Sequence, residues 1–325
     1  MATPTPPTAK NGIGPTTSGV IAGLLGAVGV AAGGANVPIV SATGLFAALP
    51  VFWTGLVFGP RSGIIAALVA TAALAVAATP SVAIVLTALV FAPAAYVSHL
   101  LNLARPADEL GGPGDRLAWF PLADILFRIC LIVAVATVAI AFATGYDAET
   151  ARQALRELLD EAISTVPPEV ADQFGSEELR EPAIQRTVAI LPFVEGFVSV
   201  LVLVGNLYLA MLFARGRMAR PVDDMTLALR LPTLGLLAFG VAVAVTLIVI
   251  GSGGEAFVAP AFAGAFGAGF TIAGFAIIHF RLRGSPAKVP ILLATYLAAP
   301  LIFPALMALG LFSTARAVPI SKRKD

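Results

Sequence analysis

Charge is what this sequence has least of. Only 12% of its 325 residues are Asp, Glu, Lys or Arg, against roughly 25% in ordinary soluble domains. Apolar residues make up 58%, more than a folded soluble surface of this size could hide. Cysteine occurs once, as Cys130, which excludes an intramolecular disulfide and a cysteine-based zinc site. The two histidines, His99 and His279, stand far apart, so no metal site is expected. No nucleophile elbow, phosphate loop or Ser/His pairing is present, so the sequence offers no support for enzyme activity or a cofactor. A basic patch with interleaved aromatics is also missing, and nucleic acid is not an expected partner. The net charge of +1 averages over segments that face different compartments and identifies no partner.

What is present is apolar sequence in blocks near or above the ~20 residues that cross a bilayer as helix. Nine blocks stand out: 19–35, 37–58, 62–79, 81–101, 119–144, 187–213, 231–251, 255–280 and 289–313. The expected class is an all-α, polytopic helical membrane protein of about eight to nine transmembrane helices, with the lipid bilayer as its first partner. Residues 1–18 are Pro/Thr-rich and are expected to be a disordered tail. The first four blocks are short or nearly contiguous and should form tight hairpins. In "LPVFWTGLVFGPRSGIIAALVA" (49–70), Gly59-Pro60 ends one helix, Arg61 marks a membrane surface, and Ser62 is placed to cap the next helix.

Lysine and arginine in short loops set the orientation. Loops 102–118, 214–230 and 281–288 carry Arg105 and Arg116, then Arg215, Arg217, Arg220 and Arg230, then Arg281, Arg283 and Lys288. Placing all three in the cytoplasm puts the N-terminus inside and residues 145–186 outside. That outer segment has ten acidic and four basic side chains, a net of −6. Within it, "DAETARQALRELLDEAIS" reads as an amphipathic helix opened by Asp147 and Glu149. Such a helix lies on the membrane, covers a cavity or joins two spans, and the connector is the simplest of the three. Nine spans would leave the basic tail 314–325 outside. Pro300 and Pro304 could instead fold 289–313 into a re-entrant hairpin.

Small residues recur every fourth position in two blocks: Gly19, Gly23, Ala27, Ala31 and Ala35, and then Ala261, Ala265, Gly269 and Ala273. Such stripes let membrane helices approach closely. They serve internal packing in the first instance, and a docking face for another membrane subunit in the second. Phe262, Phe266 and Phe270 form a neighbouring aromatic stripe.

The 49–70 hairpin resembles the second-to-third span of the substrate-binding S components of energy-coupling-factor vitamin transporters. The whole chain resembles the YybS-like bacterial membrane proteins, with "VGNLYLAMLFARGR" (204–217) and "FPALMALGLFSTAR" (303–316) carrying the likeness. The resemblance implies a six-helix S-component-like core over 19–213, interrupted by the acidic insertion 145–186, and appended helices over 214–313. It also implies the bacterial cytoplasmic (inner) membrane. The long insertion departs from an S component, and no vitamin-specific motif is recognisable.

Three full charges fall inside the apolar blocks: Asp124, Arg128 and Glu195. Each costs roughly 2.5–3.5 kcal/mol at a helix centre on insertion scales, so each needs a reason. Asp124 and Arg128 are four apart and can pair on one face. Glu195 lies between Pro192 and Gly196 with no basic residue within helical reach, in a stretch that suggests a bent or broken helix. At nine residues past Arg186 it is expected about 13 Å below the outer end of its span. Asn206 lies further along that helix and can hydrogen-bond to a neighbour. The leading expectation is small-solute binding or transport through a cavity that opens outward, with Glu195, Asn206 and Trp53 as its residues. The alternative is a non-transporting envelope scaffold, analogous to the rod-shape protein MreD.

Overall fold

A computed structural model describes residues 14–33, 42–112, 117–165, 177–220, 229–251 and 257–315. Its helices, in chain order, are α1 (Pro15–Gly33), α2 (Leu49–Phe58), α3 (Pro60–Ala77), α4 (Pro80–Leu101), α5 (Leu122–Thr144), α6 (Ala148–Ser164), α7 (Glu177–Phe213), α8 (Thr233–Gly251), α9 (Val258–Arg281), α10 (Lys288–Leu297) and α11 (Ala299–Ala315). Among the described residues seven helices are long and apolar enough to cross a membrane, and an eighth arises if α10 and α11 count as one broken span. The protein is therefore an all-α, multi-pass membrane protein by its architecture.

The upper count of eight agrees with the expected eight to nine; of the block 37–58, residues 37–41 lie outside the described part. In the rest of the block the chain forms a 3₁₀ turn, Ala42–Phe46, followed by the ten-residue α2. Pro50 is tolerated only in the first turn of a helix, and Gly59, at φ 91°, ends α2 and opens α3. The segment nonetheless runs antiparallel to α1, with Thr43 bonded to the Gly29 carbonyl and Thr54 facing Ser18. The N-terminal tail also ends earlier than expected, because α1 starts at Pro15; residues 1–13 lie outside the described part, as do 316–325 of the basic tail.

Close helix approach explains the small-residue stripes. A Cβ on Gly19 would stand 2.7 Å from the Ser62 carbonyl oxygen, and one on Gly23 would stand 2.5 Å from that of Ala66. α1 and α3 are thus in backbone contact, and any larger residue would force them apart. Ala27 is also buried, but Ala31 is exposed and Ala35 lies outside the described residues, so the buried stripe closes at Ala27. Ser62 does not cap α3 as expected. It donates to the Pro15 carbonyl (2.8 Å), so it must accept from Thr54 (2.6 Å), which in turn accepts from Ser18 (2.7 Å). This buried hydroxyl relay ties α1, α2 and α3 at one end.

α9 is the central helix, with Ala265, Phe266, Phe270 and Ala273 fully buried. A Cβ on Gly264 would overlap the Phe193 carbonyl of α7 at 1.9 Å, and one on Gly269 would meet Cys130 Sγ of α5 at 2.7 Å. α11 crosses α9 on another side, with Gly310 against the Phe270 carbonyl. Gly19 to Ala27 of the first stripe, and the whole of the second, are therefore covered by the chain's own helices.

A feature with no sequence signal is the two-stranded antiparallel ribbon of β1 (Ala104–Pro106) and β2 (Leu117–Trp119), which pairs Arg105 with Ala118. Arg220 donates to the Phe120 carbonyl at 2.9 Å, which brings the 214–220 loop to the same end as this ribbon. Burial lowers the Arg220 guanidinium to about 10.

At the opposite end, Gly145 turns the chain out of α5, and Asp147 caps α6 by accepting from the Thr150 backbone N–H at 3.0 Å. Those Thr150 hydrogen bonds hold the Asp147 carboxyl below its usual range. α6 then docks on the N-terminal part of α7. Arg156 reaches Glu181 through Nε and Nη2 at 2.8–3.2 Å, and Arg180 pairs with Asp160. The expected connector is a helical hairpin clamped by charge.

Candidate functional site

The three residues expected to share a site do not meet. Glu195 is exposed on α7, which runs through Pro192 as one continuous helix from Glu177 to Phe213. The neighbouring Gly196 packs on Ala261, the fourth residue of α9. Glu195 therefore lies about one turn, ~5 Å, from the N-terminal end of α9. On α7 itself the apolar span begins at Arg180, ahead of Arg186, which puts Glu195 15 residues, ~22 Å, along it rather than the ~13 Å expected. Its charge acts on Tyr146, whose phenol is raised above its ordinary value by burial first and Glu195 second. The Tyr146 ring packs on Phe257 at 4.6 Å, an aromatic pair where α5 has ended and α9 is about to begin.

Asn206 is buried and structural. Its amide donates to the Leu45 carbonyl at 2.7 Å and to the Val202 carbonyl at 2.8 Å, tying α7 to the 3₁₀ turn before α2. Trp53 lines a cavity of about 270 Å³ between α1 and α2. The one hydroxyl on that wall, Ser18, is already bonded to Thr54. The expected Asp124–Arg128 ion pair is not formed. Arg128 instead donates to the Tyr96 hydroxyl at 2.9 Å and lies over the Phe120 ring at 5.4 Å. An exposed arginine reaches back along its helix to the membrane surface, and an aromatic hydroxyl partner on α4 meets it there. Among the described residues no three His, Cys, Asp or Glu side chains converge to hold a metal.

The structure assembles a different site. A cavity of about 270 Å³ lies between α5, α7 and α9, walled by Leu126, Ile129, Val204, Met211 and Ile272, with Gly205 on its rim. Polar groups gather at one corner. His279 Nε2 and the Tyr296 hydroxyl are 2.8 Å apart, and the Tyr296 ring stacks on Phe275 at 5.0 Å. Tyr208 stands close by on α7 and also lines the wall. Tyr296 reaches this corner because α10 and α11 meet at a 108° break, which lays the short α10 across the end of α9.

Sequence reasoning gave His279 no role beyond excluding a metal site and missed Tyr296 altogether. The two are 17 residues apart on helices joined by a turn, so no helical spacing connects them. The one available signal was that a histidine and a tyrosine flank the same basic loop, 281–288.

No protein-family model, curated protein or solved structure matches this chain.

Proposed function

We propose that this protein binds a small solute inside the membrane, in the cavity between α5, α7 and α9. The observation that carries the reading is an apolar chamber of about 270 Å³ with hydrogen-bonding groups confined to one corner. Ligand sites are mostly apolar concavities with a few convergent polar groups, commonly of ~300–1,000 Å³. The Trp53 cavity has equal volume, but its one hydroxyl is already engaged.

The chamber sits where the S-component-like core proposed over 19–213 meets the appended helices, since α5 and α7 belong to the first and α9 and α10 to the second. In this reading the protein lies in a bacterial cytoplasmic membrane with its N-terminus inside. Support comes from the ribbon of Arg105, the Arg220 loop and the 281–288 loop, which share one end of the molecule; positive charge favours the cytoplasm. The chamber then opens in the cytoplasmic half, away from Glu195. An MreD-like scaffold would have to use a surface other than Gly19 to Ala27 and Ala261 to Ala273, which are filled from within.

The test is a thermal-shift screen of the purified protein in detergent, beside Gly205→Phe. No atom lies within 4 Å of the position a Gly205 Cβ would take, so the phenyl group enters the chamber without a backbone clash. A solute at 100 times its dissociation constant should add about 2.7 kcal/mol to the native state. A stabilising solute whose effect vanishes in Gly205→Phe supports the site; an effect unchanged in Gly205→Phe removes it.

A further inference from the structure

We propose that the occupant of this chamber is a single-headed anionic amphiphile, its chain in the apolar cavity and its head at His279, Tyr296 and Lys288. The proposal rests on the reading of the cavity as a solute site and adds the class of solute.

The wall fixes the body of the ligand. Ile125, Leu126, Ile129, Leu201, Val204 and Ile272 present hydrocarbon only. A polar solute would lose its hydration along that surface with nothing in exchange. The volume of about 270 Å³ equals roughly nine water-sized groups at ~30 Å³ each. That is room for one short chain or the end of a longer one, not for a fused ring system with several heads.

The corner fixes the head. When His279 Nε2–H donates to the Tyr296 oxygen, the phenol proton is free to donate to an acceptor. Lys288 opens the helix that carries Tyr296 and stands close enough for its charge to act on His279. Arg281 ends α9 two residues past His279 and is exposed. The 281–288 loop contains no acidic residue, and among the described residues no carboxylate pairs with Arg281 or Lys288. One donor and uncompensated positive charge at the end of an apolar chamber complement a carboxylate or phosphate head. Tyr208 and Tyr296, 44% and 51% exposed, flank an opening through which a chain can enter from the side. A free fatty acid and a bilayer phospholipid both carry this chemistry.

The experiment is a titration of cis-parinaric acid, and separately its methyl ester, into the full chain reconstituted in nanodiscs of phosphatidylcholine. Wild type, Lys288→Glu, Tyr296→Phe and Gly205→Phe are compared, with melting curves to confirm that each variant is folded. The acid is expected to bind saturably and the ester about tenfold more weakly, the ordinary worth of a hydrogen bond to a charged group. Lys288→Glu should weaken the acid about fivefold, the upper range for an exposed charge pair, and leave the ester unchanged. Gly205→Phe should abolish binding of both; should it fail to fold, Gly205→Leu takes its place with the same expectation.

If acid and ester bind alike and Lys288→Glu changes neither, the anionic head is wrong while the chamber stands. If neither binds wild type saturably, both readings fall. Native mass spectrometry of protein from cells separates the sources: a retained free acid or a retained anionic phospholipid each supports the proposal. Retention of neutral or cationic amphiphiles alone overturns it.

Discussion

The contact between α7 and α9 gives the sharpest test of the packing. A Cβ added at Gly264 would stand 1.9 Å from the Phe193 carbonyl oxygen, where ordinary contact begins near 3.4 Å. The shortfall, 3.4 less 1.9, is about 1.5 Å. The obstacle is main chain, so no rotamer change relieves it and the helices must separate. Overpacking of this kind costs about 1–3 kcal/mol. Gly264→Ala belongs at the upper end, because separation also opens the approach of Gly196 to Ala261. Gly205→Ala is the control in the same pair of helices: nothing lies within 4 Å of its new Cβ, and the exchange should gain about 0.5–1 kcal/mol from helix propensity. The two alanine variants should therefore differ by about 3–4 kcal/mol, or by roughly 7 °C at ~2 °C per kcal/mol for a long chain. Apparent melting temperatures in one detergent, read by intrinsic fluorescence, give the comparison. Two variants melting within about 2 °C of each other would refute the close α7–α9 approach.

Other consequences are smaller but as direct. Asn206→Leu removes the bond to the Leu45 carbonyl and should lower stability by about 0.6–2 kcal/mol, the range for interhelical hydrogen bonds in membranes; its apparent melting temperature beside wild type in one detergent checks it. The Asp147 carboxyl is held below its unfolded value of ~3.9. Its capping contribution is therefore complete above that pH and is lost as pH falls through the lower folded value. Amide exchange in α6 should accelerate on the acid side in wild type and not in Asp147→Asn. Salt should loosen the α6–α7 hairpin through the partly exposed Arg156–Glu181 pair, visible as faster proteolysis after Glu157 with no change in the melting of the spans. Cys130 is wholly buried, so single introduced cysteines report topology without background. An impermeant maleimide should label Glu157→Cys on intact cells and spare Ser285→Cys; the reverse pattern would invert the orientation.

How much of this was legible in the sequence depends on the range of the interaction. The spans follow from apolar blocks, the Gly59-Pro60 turn from two residues with restricted backbones, and the Asp147 cap from one side chain bonded three residues on. Gly19 and Gly23 announce close packing because their spacing matches one helix face. What they pack against was not readable, nor that the buried stripe would close at Ala27 with Ala31 exposed. Arg128 was assigned to Asp124 by helix spacing, yet Tyr96, 32 residues away, offers a hydroxyl where the arginine emerges. The depth of Glu195 along its own span was misjudged because the sequence places the start of that span after Arg186, whereas the apolar helix already runs from Arg180. The chamber was invisible for a simpler reason: Leu, Ile and Val lining a cavity read the same as Leu, Ile and Val facing lipid. Only the folded arrangement of three helices and a broken fourth distinguishes them.

The length of α7 has a mechanical consequence. Its 37 residues make a rod of about 55 Å at 1.5 Å per residue, gripped by backbone contact with α9 between Phe193 and Gly196. On the N-terminal side of that grip some 24 Å of helix carries the charged hairpin with α6; on the other side a similar length forms one wall of the chamber and is tied by Asn206 to the 42–46 turn. The hairpin and the wall bearing Tyr208 and Met211 are therefore parts of one continuous helix, and a force on either is borne by the same rod.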